Sequence, residues 1–456
     1  MALIALIGGA FFAGDQLRTR QMIFTSSPPY DAPVQASVLL KLTPEWSPVA
    51  IPNSKQGGNE NQELISAVLK QLKTYYVEPI TGERETALAR GAVRGMLNSL
   101  NDPDSRFLDP TERKLLDDVG TGKFHGIGAV LALKNEKVSD LDVTKIVVVA
   151  PMHGSPAEKA GLQPGDSITY INDKWIVTQD PFKEAGMEKL SKAARNKEID
   201  ELTYQKAYEA AYNKLKEGLL ISQALDDLTS KSSGELNIRV ERPGQHEPLN
   251  LKLQCRKTEI DPVSSYMLKR GIAYIRVAQF NKRAMGEFAS ELNRVKAAHA
   301  KAFILDLRGN PGGLMGAAIN ITSRIAGGGV MAKIQTKSGR RAITMPNTRG
   351  LHMPIAVLVD GGTASVAELV AGTLRDNSSA CIVGTKTFGD GLTQRPLTLR
   401  DGSVAIMTVG KMLTAKGFDF EGKGLTPDRE VLQGQRHGDV QLKEAESILL
   451  TKLGKA

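Results

Sequence analysis

The sequence predicts a multidomain α/β protein, and three observations support that prediction. Short apolar runs such as Ile355–Val359 have the length and composition of buried strands. Segments with helical apolar spacing, such as Val366–Leu374, follow them, and this alternation is typical of an α/β core. At 456 residues, with 41% hydrophobic and 24% charged content, the chain is long enough for two or three ordinary globular domains.

Charge and cysteine content narrow the classes of partner. The net charge of +9 is spread along the chain without a long basic run, so we expect no nucleic-acid partner. A generally basic surface would equally favour an anionic membrane or cell-wall polymer. The two cysteines, Cys255 and Cys381, are too few for a disulfide framework.

The N-terminus begins with an apolar segment. Met1–Gly14 contains only apolar or small residues, lacks the positive start of a signal peptide and is short for a membrane span. We interpret residues 1–20 as a clipped signal peptide or a membrane anchor, with a buried helix as the alternative. Residues 21–59 are rich in Pro, Ser and Gln, which predicts a flexible linker.

A helical region is predicted over residues 60–120. Apolar stripes at helical spacing predict helices over Asn61–Tyr76 and Glu83–Leu100. The turn Asn101–Pro110 then leads into the next domain, and we expect its role to be structural.

Residues 121–258 carry two strings typical of a PDZ domain. Phe124–Leu131 has the glycine-containing opening loop, and Ser155–Ile168 reads as a short helix, a glycine C-cap, a Pro-Gly turn and a strand. PDZ domains hold a chain's C-terminal carboxylate on backbone N–H groups and pair the peptide as an added strand. The predicted peptide-binding residues are Gly126, Ile127, Gly128 and Ala129.

A charged insertion interrupts this domain at about residues 180–233. Its pattern predicts one or two helices. Tyr204, Tyr208 and Tyr212 recur at spacings of four, which more often marks a packing stripe than a binding site.

The strongest pattern lies in the last third of the chain, where two buried strands each lead into an unusual loop. The strand from Ala302 ends in the Gly/Pro-rich loop Arg308–Gly313. The strand Ile355–Val359 leads into a turn that carries Ser365 just before a helix. Free N–H groups and the positive dipole end of that helix would stabilise developing negative charge, so Ser365 is well placed as a nucleophile. Taken alone, Thr363 or Ser365 could equally be only an N-cap.

Together, the Asp306–Gly313 string, the serine turn and the Phe388–Gln394 stretch resemble the carboxyl-terminal processing proteases, the tail-specific serine peptidases of family S41. The resemblance covers the chain from about Glu60 to Asp428. It implies a crotonase-like ββα peptidase core over residues 259–432, with the PDZ domain inserted before it and a C-terminal tail over residues 433–456. It also implies a location outside the cytoplasm, in the periplasm or cell envelope, which the apolar start supports.

The resemblance assigns roles to individual residues. In this family a lysine activates the serine, and it can act as a base only when burial keeps it neutral. By motif, Ser365 is the nucleophile and Gln394 orients the base. The N–H groups of Val366 and of Gly312 or Gly313 are the expected oxyanion donors.

The lysine itself is missing, because the chain has Asp390 where the family has Phe-Gly-Lys-Gly. A carboxylate with an ordinary pKa near ~4 is a far weaker base than a neutral amine. Three readings stay open. Lys386 or Lys411 replaces the lysine; Asp390, with its pKa raised by burial, acts as a slow base; or proteolysis is lost and peptide binding is kept.

No other motif points to a second chemistry. His125 and His352 stand alone, and a lone histidine is more often a surface or packing residue than a catalytic one. We find no metal-ligand spacing, and Gly327–Gly329 lacks the lysine and hydroxyl of a P-loop. We therefore expect no metal and no cofactor.

Two functions of different class remain. The first is an extracytoplasmic serine endopeptidase that recognises protein C-termini through the PDZ domain and cleaves by Ser365 attack. The second is a catalytically impaired or inactive scaffold that captures C-terminal tails. An acyl-CoA enzyme on a crotonase fold is a weaker third, because fold alone does not give function. The expected partners are protein or peptide C-termini, with a membrane anchor and an oligomer left open.

Overall fold

The computed structural model describes residues 2–4, 60–100, 102, 104–110, 113, 121–138, 141–178, 181–229, 234–432 and 438–454. The predicted linker lies outside these ranges, as does all but Ala2–Ile4 of the predicted signal peptide or anchor. None of the helices in these ranges combines the length and apolar composition that a membrane span requires. The chain divides into two compact units, residues 14–101 and residues 1–13 with 102–456, and each is described by itself.

In its described residues, 60–100, the smaller unit has the two helices that the sequence predicts. They are α1 (Glu60–Tyr75) and α2 (Glu83–Asn98). Lys73 Nζ near the end of α1 lies 2.5 Å from Glu85 Oε1 at the start of α2. Both side chains are about 40% exposed, so this ion pair adds little stability.

The first part of the larger unit is built on an antiparallel sheet. The strands of this sheet are β1 (Ala2–Ile4), β4 (Ala129–Val138), β5 (Leu141–Pro151), β6 (Ser167–Ile171), β7 (Lys174–Trp175), β8 (Glu235–Glu241) and β9 (Leu249–Gln254). Outside it, β3 (Lys123–Phe124) pairs with β10 (Thr258–Glu259), and β2 (Arg106–Leu108) belongs to another sheet. The sheet has the order β1-β4-β5-β6-β8-β9, with β7 paired to β6. Fully buried Ile146, Ile168 and Leu131 form part of its core. Apart from β1, this sheet lies in the residues predicted as the PDZ domain.

The inserted segment contains more helices than the sequence predicts. Helix α3 (Pro156–Lys159) precedes the insertion. The helices described within the insertion are α4 (Pro181–Glu184), α5 (Met187–Arg195), α6 (Glu201–Glu217) and α7 (Ile221–Thr229). Gly186 and Lys197 have positive φ and divide the insertion into short pieces. Tyr208 packs on the Phe182 ring, yet Tyr208 and Tyr212 are 45% and 49% exposed, so the tyrosines form only a partial packing stripe.

The second part of the larger unit is a mixed α/β core, as predicted. Its strands are β11 (Val263–Met267), β12 (Ile272–Val277), β13 (Ala302–Asp306), β14 (Gly329–Thr336), β15 (Gly339–Met345), β16 (Ile355–Val359), β17 (Cys381–Gly384), β18 (Leu392–Thr398), β19 (Val404–Thr414) and β20 (Arg429–Glu430). Its helices are α8 (Ala284–Ala297), α9 (Met315–Ala326), α10 (Val366–Ser378) and α11 (Val440–Gly454).

The central sheet has the order β11-β12-β13-β16-β17-β20, and every neighbouring pair except β11–β12 is parallel. Alternate strand residues point to opposite faces. One face, including Ile275 and Val357, packs against α8, α9 and α10. The other face, including Ile304 and Leu358, is covered by Ala445 and Leu449 of α11. The segment predicted only as a C-terminal tail therefore contributes a helix to the core.

A second sheet flanks this core in the order β15-β14-β19-β18. The distant strand β2 joins it by pairing with β19, with Leu108 opposite Val404. Because of this pairing, the turn that precedes β2 is attached to the same sheet as β18.

Parallel strands place their carboxyl ends at one edge of the sheet. The loops after β13, β16 and β17 therefore meet there. These loops are residues 307–314, 360–365 and 385–391, which contain most of the predicted catalytic residues.

Candidate active site

Ser365 has a strained backbone conformation. It lies between β16 and α10 with φ 57° and ψ −126°, a region that a residue with a side chain rarely adopts. A serine on a sharp strand-to-helix turn of this kind projects its Oγ from the end of a sheet. The strain is a local feature that points to function, and periodicity in the sequence does not reveal it.

Glu368, one turn into α10, ties the serine loop to the loop that contains Asp390. Its Oε2 accepts hydrogen bonds from the Ser365 N–H at 3.0 Å and the Asp390 N–H at 2.9 Å. Its Oε1 accepts from the Gly389 N–H at 2.9 Å and from the Thr387 hydroxyl. Burial raises the pKa of Glu368 to about 7, while these four donors act in the opposite direction. No motif in the sequence indicates this role of Glu368.

The glycine loop after β13 lies directly against the serine. A side chain at Gly312 would place its Cβ 2.8 Å from the Ser365 Cβ, so only glycine permits this approach. The Gly312 N–H donates to Asn310 Oδ1 at 2.8 Å and is therefore already engaged. Gly313, and Val366 at the first position of α10, remain as the backbone N–H groups suited to an oxyanion.

Side chains fasten the two loops to each other. The Thr363 hydroxyl donates to the Leu307 carbonyl at 2.8 Å. The Gly309 N–H donates to Asp360 Oδ1, also at 2.8 Å. Thr363 is buried and acts as a bridge between loops, while Ser365 is left as the hydroxyl at the helix start.

Asp390 occupies a buried position near the serine. The Ser365 and Asp390 amide nitrogens lie 3.0 and 2.9 Å from one Glu368 oxygen, so they are at most about 6 Å apart. The Asp390 side chain is 2% exposed, and in the described part of the chain its Oδ1 has no hydrogen-bond partner. Burial raises the pKa of Asp390 well above its usual range, and the neighbouring Asp104 carboxyl adds to this effect.

Neither alternative lysine is buried. Lys386 is exposed, and the Lys411 side chain is 50% exposed, with its Nζ 3.8 Å from Asp419 Oδ2. A neutral lysine base requires burial, which neither position offers. His352 is also exposed, and His125 lies in the PDZ loop.

Gln394 on β18 contacts a carboxylate that the sequence did not suggest. Its Nε2 donates to Asp104 Oδ1 at 3.1 Å, and Asp104 is fully buried. Burial raises the pKa of Asp104 to about 7. Asp104 lies 290 positions away from Gln394 in the chain, so only the pairing of β2 with β19 explains the contact. The turn predicted as structural thus supplies a carboxylate beside the site.

The predicted peptide-binding loop of the PDZ domain is folded against α7. Gly126 and Gly128 have positive φ, and a Cβ at Gly126 would lie 2.1 Å from the Leu228 carbonyl oxygen. The Ile127 N–H donates to that same oxygen at 2.9 Å. This N–H is therefore engaged within the domain. Next to Ala129, the edge of β4 that does not face β5 pairs with Ala2–Ile4.

An apolar cluster joins the PDZ sheet to the catalytic loops. Val130 and Ala132 of β4 and Val149 of β5 are buried with Ala364, which precedes the serine. Phe388 of the Asp390 loop packs against the same cluster. The strand expected to receive peptide is thus in one packing unit with the neighbours of Ser365 and Asp390.

Within the described ranges, no group of histidine, cysteine and acidic side chains has the arrangement of a metal site. The buried acids around Asp390 accept hydrogen bonds from backbone and side-chain donors instead. The arrangement offers a strained serine, free backbone donors and buried carboxyls, a set that suits acyl transfer.

Comparison with known proteins gives two domain matches. Residues 271–431 match peptidase family S41, and residues 147–183 match the PDZ domain. The chain is 28% identical to the carboxy-terminal processing protease CtpA of Bacillus subtilis (strain 168), over 86% of this chain and 74% of that protein. It is 29% identical to a probable CtpA-like serine protease of Staphylococcus aureus (strain bovine RF122 / ET3-1), over 81% of this chain and 64% of that protein.

Among solved structures, the photosystem II D1 C-terminal processing protease aligns with a TM-score of 0.60. The alignment covers 86% of this chain and 97% of that one at 24% identity, which shows a shared fold.

Proposed function

We propose that the chain, which matches peptidase family S41 over residues 271–431 and the PDZ domain over residues 147–183, is an extracytoplasmic serine endopeptidase of the carboxy-terminal processing type that recognises protein C-termini and cleaves near them. The observation that carries the proposal is the strained Ser365 turn, fixed by Glu368 and faced by the glycine loop. This constellation is costly to build and has an evident use in acyl transfer.

The proposed reaction follows from the positions of these groups. Ser365 Oγ attacks the carbonyl carbon of the scissile amide, and the Oγ proton passes to Asp390. The oxyanion is stabilised by the N–H groups of Val366 and Gly313. The leaving amine then takes the proton, and water hydrolyses the acyl-enzyme to regenerate Ser365.

Asp390 is the proposed base because the structure offers no buried lysine nearby among the residues described. A carboxylate of ordinary pKa would be a poor proton acceptor at neutral pH. Burial raises the pKa of Asp390, which brings its proton affinity closer to the range that a general base requires. We expect a slow peptidase for this reason.

The PDZ domain is proposed to hold the C-terminal tail of the substrate. An extended tail would pair with the edge of β4 in place of Ala2–Ile4, with its carboxylate toward Gly126–Ala129. Because the Ile127 N–H already donates to Leu228, this loop must adjust when a carboxylate binds. The apolar start of the chain supports a place outside the cytoplasm, with residues 1–20 as leader or anchor.

A second candidate function is tail capture without cleavage. The replacement of the family's lysine by Asp390 favours it, because the missing amine is the group on which the chemistry depends. In that case the PDZ domain is the working part and Ser365 is inert.

Cleavage of an unstructured protein with an apolar C-terminus tests the first function, with the wild type compared with Ser365→Ala. We expect slow cleavage by the wild type only, and equal rates would remove Ser365 as the nucleophile. A substrate with an amidated C-terminus is the matched control for tail recognition, and it should be cleaved more slowly. Binding of tail peptides without cleavage by the wild type would favour the second function. Failure to bind any free C-terminus, with cleavage intact, would reject it.

A further inference from the structure

We propose that Asp439, the residue before α11, is a positioning residue for the reaction, because it holds the Arg308 guanidinium near the start of the glycine loop. This inference rests on the proposed function and deepens it. It gives the C-terminal helix, which the sequence presents only as a tail, a part in placing the oxyanion donors beside Ser365.

The Arg308 guanidinium is fully engaged by hydrogen bonds. Its Nε–H donates to both carboxylate oxygens of Asp306 at 3.0 Å. Its Nη1 donates to Asp439 Oδ1 at 2.8 Å and to Gln441 Oε1 at 3.1 Å. Its Nη2 donates to Asp306 Oδ2 at 2.6 Å and to Asp439 Oδ2 at 2.7 Å. Because these contacts use the Nε–H and both N–H bonds of each terminal nitrogen, the side chain is held in one orientation.

The two carboxylates that hold the guanidinium are themselves fixed. The Asp306 side chain is 1% exposed and accepts the Tyr274 hydroxyl at 2.6 Å. Asp439 Oδ1 also accepts the Leu442 N–H at 2.9 Å, so Asp439 caps the first turn of α11. Burial alone would raise the pKa of Asp439, but the hydrogen bonds from Arg308 hold it below its usual value. Asp439 is therefore ionised at neutral pH and forms a bidentate ion pair.

Arg308 lies near the start of the glycine loop, which is anchored at both ends. Beside the guanidinium, the Gly309 N–H donates to Asp360 Oδ1 of the serine loop at 2.8 Å. At the other end, the Leu314 N–H donates to the Phe280 carbonyl at 2.6 Å. The proposed oxyanion donor in this loop lies between the two anchors. The direction of its N–H therefore depends on both of them.

The packing of α11 does not require this ion pair. Fully buried Ala445 and Leu449 already attach the helix to its face of the central sheet. The Arg308 and Asp439 side chains are 17% and 34% exposed, and the cost of removing such charges from water offsets much of their attraction. Two parallel N–H···O bonds do, however, fix geometry. The pair is therefore better suited to hold the glycine loop than to dock the helix.

The position of the loop matters most in the transition state. As the bond from Ser365 Oγ to the carbonyl carbon forms, negative charge develops on the carbonyl oxygen, and the N–H donors must already point at it. The substrate tail bound to the PDZ domain does not use these donors. Loss of the Arg308–Asp439 contact should therefore lower kcat and leave KM little changed.

The test is Asp439→Ser, since serine keeps an oxygen that can cap α11 but is too short and has too few oxygens to form the fork with Arg308. We expect kcat to fall about 10- to 100-fold, less than the ~10²- to 10³-fold loss for removal of an oxyanion donor. Steady-state cleavage of the unstructured substrate gives kcat and KM separately. An unchanged kcat, or a change confined to KM, would overturn the inference.

Leu449→Ala is the matched control, because it truncates a buried side chain of the same helix and leaves the ion pair in place. It should lower the urea midpoint at least as much as Asp439→Ser, with kcat unchanged. Equal falls in kcat would show that any loosening of α11 has this effect, which would overturn the inference.

Arg308→Lys separates the geometry of the fork from its charge. Lysine keeps a positive charge between the two carboxylates but cannot form two parallel hydrogen bonds with each. We expect kcat to fall as it does in Asp439→Ser. A kcat equal to that of the wild type would show that the fork has no role in positioning.

A second measurement does not need activity. Amide hydrogen exchange over residues 307–314, followed by mass spectrometry, should be faster in Asp439→Ser than in the wild type and unchanged in Leu449→Ala. Unchanged exchange in Asp439→Ser would overturn the inference even if the wild type proves unable to cleave. Faster exchange in a protein that cannot cleave would count against the proposed function and would leave the anchoring of the loop by Asp439 intact.

Discussion

The serine loop and the Asp390 loop form the two sides of the candidate site, and they differ in how far they match a working serine peptidase. The serine loop has the strained Ser365, the adjoining Gly312 and available N–H groups. The Asp390 loop keeps its two flanking glycines but carries a carboxyl where an amine is expected. The difference is confined to one side chain, because Glu368 fixes the backbones of both loops.

This comparison separates positioning from proton transfer. Strain and backbone donors are properties of the chain path, and they persist when one side chain changes. Proton affinity depends on that side chain and its neighbours. Substitutions in the two loops should therefore change the positioning of the reacting groups and the proton affinity of the base separately.

The largest expected effect is that of Ser365→Ala. Removal of the nucleophile should lower any peptidase rate by at least ~10³-fold, because only the oxyanion donors and substrate binding remain. Steady-state cleavage measures it, with circular dichroism to confirm the fold. Retention of more than a tenth of the rate would show that the serine loop is not the reactive side.

The next largest effect is expected for Asp390→Lys. A lysine there should raise the peptidase rate at least ~100-fold, the scale of a positioned general base. The surrounding acids Asp104, Glu368 and Glu421 favour the charged ammonium, so the gain should grow as pH rises.

The size-matched control for that variant is Asp390→Met, which should show no gain. Addition of Ser365→Ala to Asp390→Lys should abolish the gain. If Asp390→Lys leaves the rate unchanged while the wild type already cleaves well, another group is the base, and Lys386→Ala and Lys411→Ala become the variants to measure.

A smaller effect is expected for Glu368→Gln, which disturbs the link between the two loops. A neutral amide accepts weaker hydrogen bonds than a carboxylate and brings two donors into a site full of donors. We expect a loss of about 1–3 kcal/mol in the free energy of unfolding and a fall in kcat with little change in KM. Urea denaturation and initial rates measure the two. Unchanged stability and kcat would show that the loops are held by other contacts.

The last expected effect is a pH dependence of the free energy of unfolding. The pKa of Asp390 is raised in the folded state, so its stabilising contribution is present at low pH and is lost as pH rises through the folded value. Asp390→Asn removes this loss. The free energy of unfolding of Asp390→Asn, relative to that of the wild type, should therefore increase with pH by up to about 1.4 kcal/mol per pH unit. Thermal or urea unfolding near pH 5 and pH 8 measures this difference. A constant difference between the two proteins would mean that the carboxyl is not buried in solution.

Much of the fold follows from local patterns in the sequence. Ile272–Val277 and Ile355–Val359 are apolar runs of strand length, and both are buried parallel strands. The helix after Ser365 continues to Ser378, further than the apolar spacing predicts. The sequence does not predict that α11 covers one face of the central sheet, because the apolar residues of a helix do not indicate which surface they pack on.

Less of the site follows from the sequence. Ser365 and Asp390 are recognisable by motif, but the central position of Glu368 depends on two loops, residues 360–365 and 385–391, that meet in space. Asp104 could not be predicted from spacing, because its contact with Gln394 spans 290 positions and depends on strand pairing. The hydrogen bond from the Gly312 N–H to Asn310 Oδ1 depends on the geometry of the loop, which composition does not specify.

Covalent labelling of Ser365 by a fluorophosphonate tests most directly whether this loop is a competent nucleophile site beside an altered base. We predict a single phosphonyl adduct, located on Ser365 by mass spectrometry, that forms slowly in the wild type and faster in Asp390→Lys. The Ser365→Ala variant should remain unlabelled. Absence of labelling at Ser365 in a folded Asp390→Lys variant, or an adduct on another residue, would contradict the account.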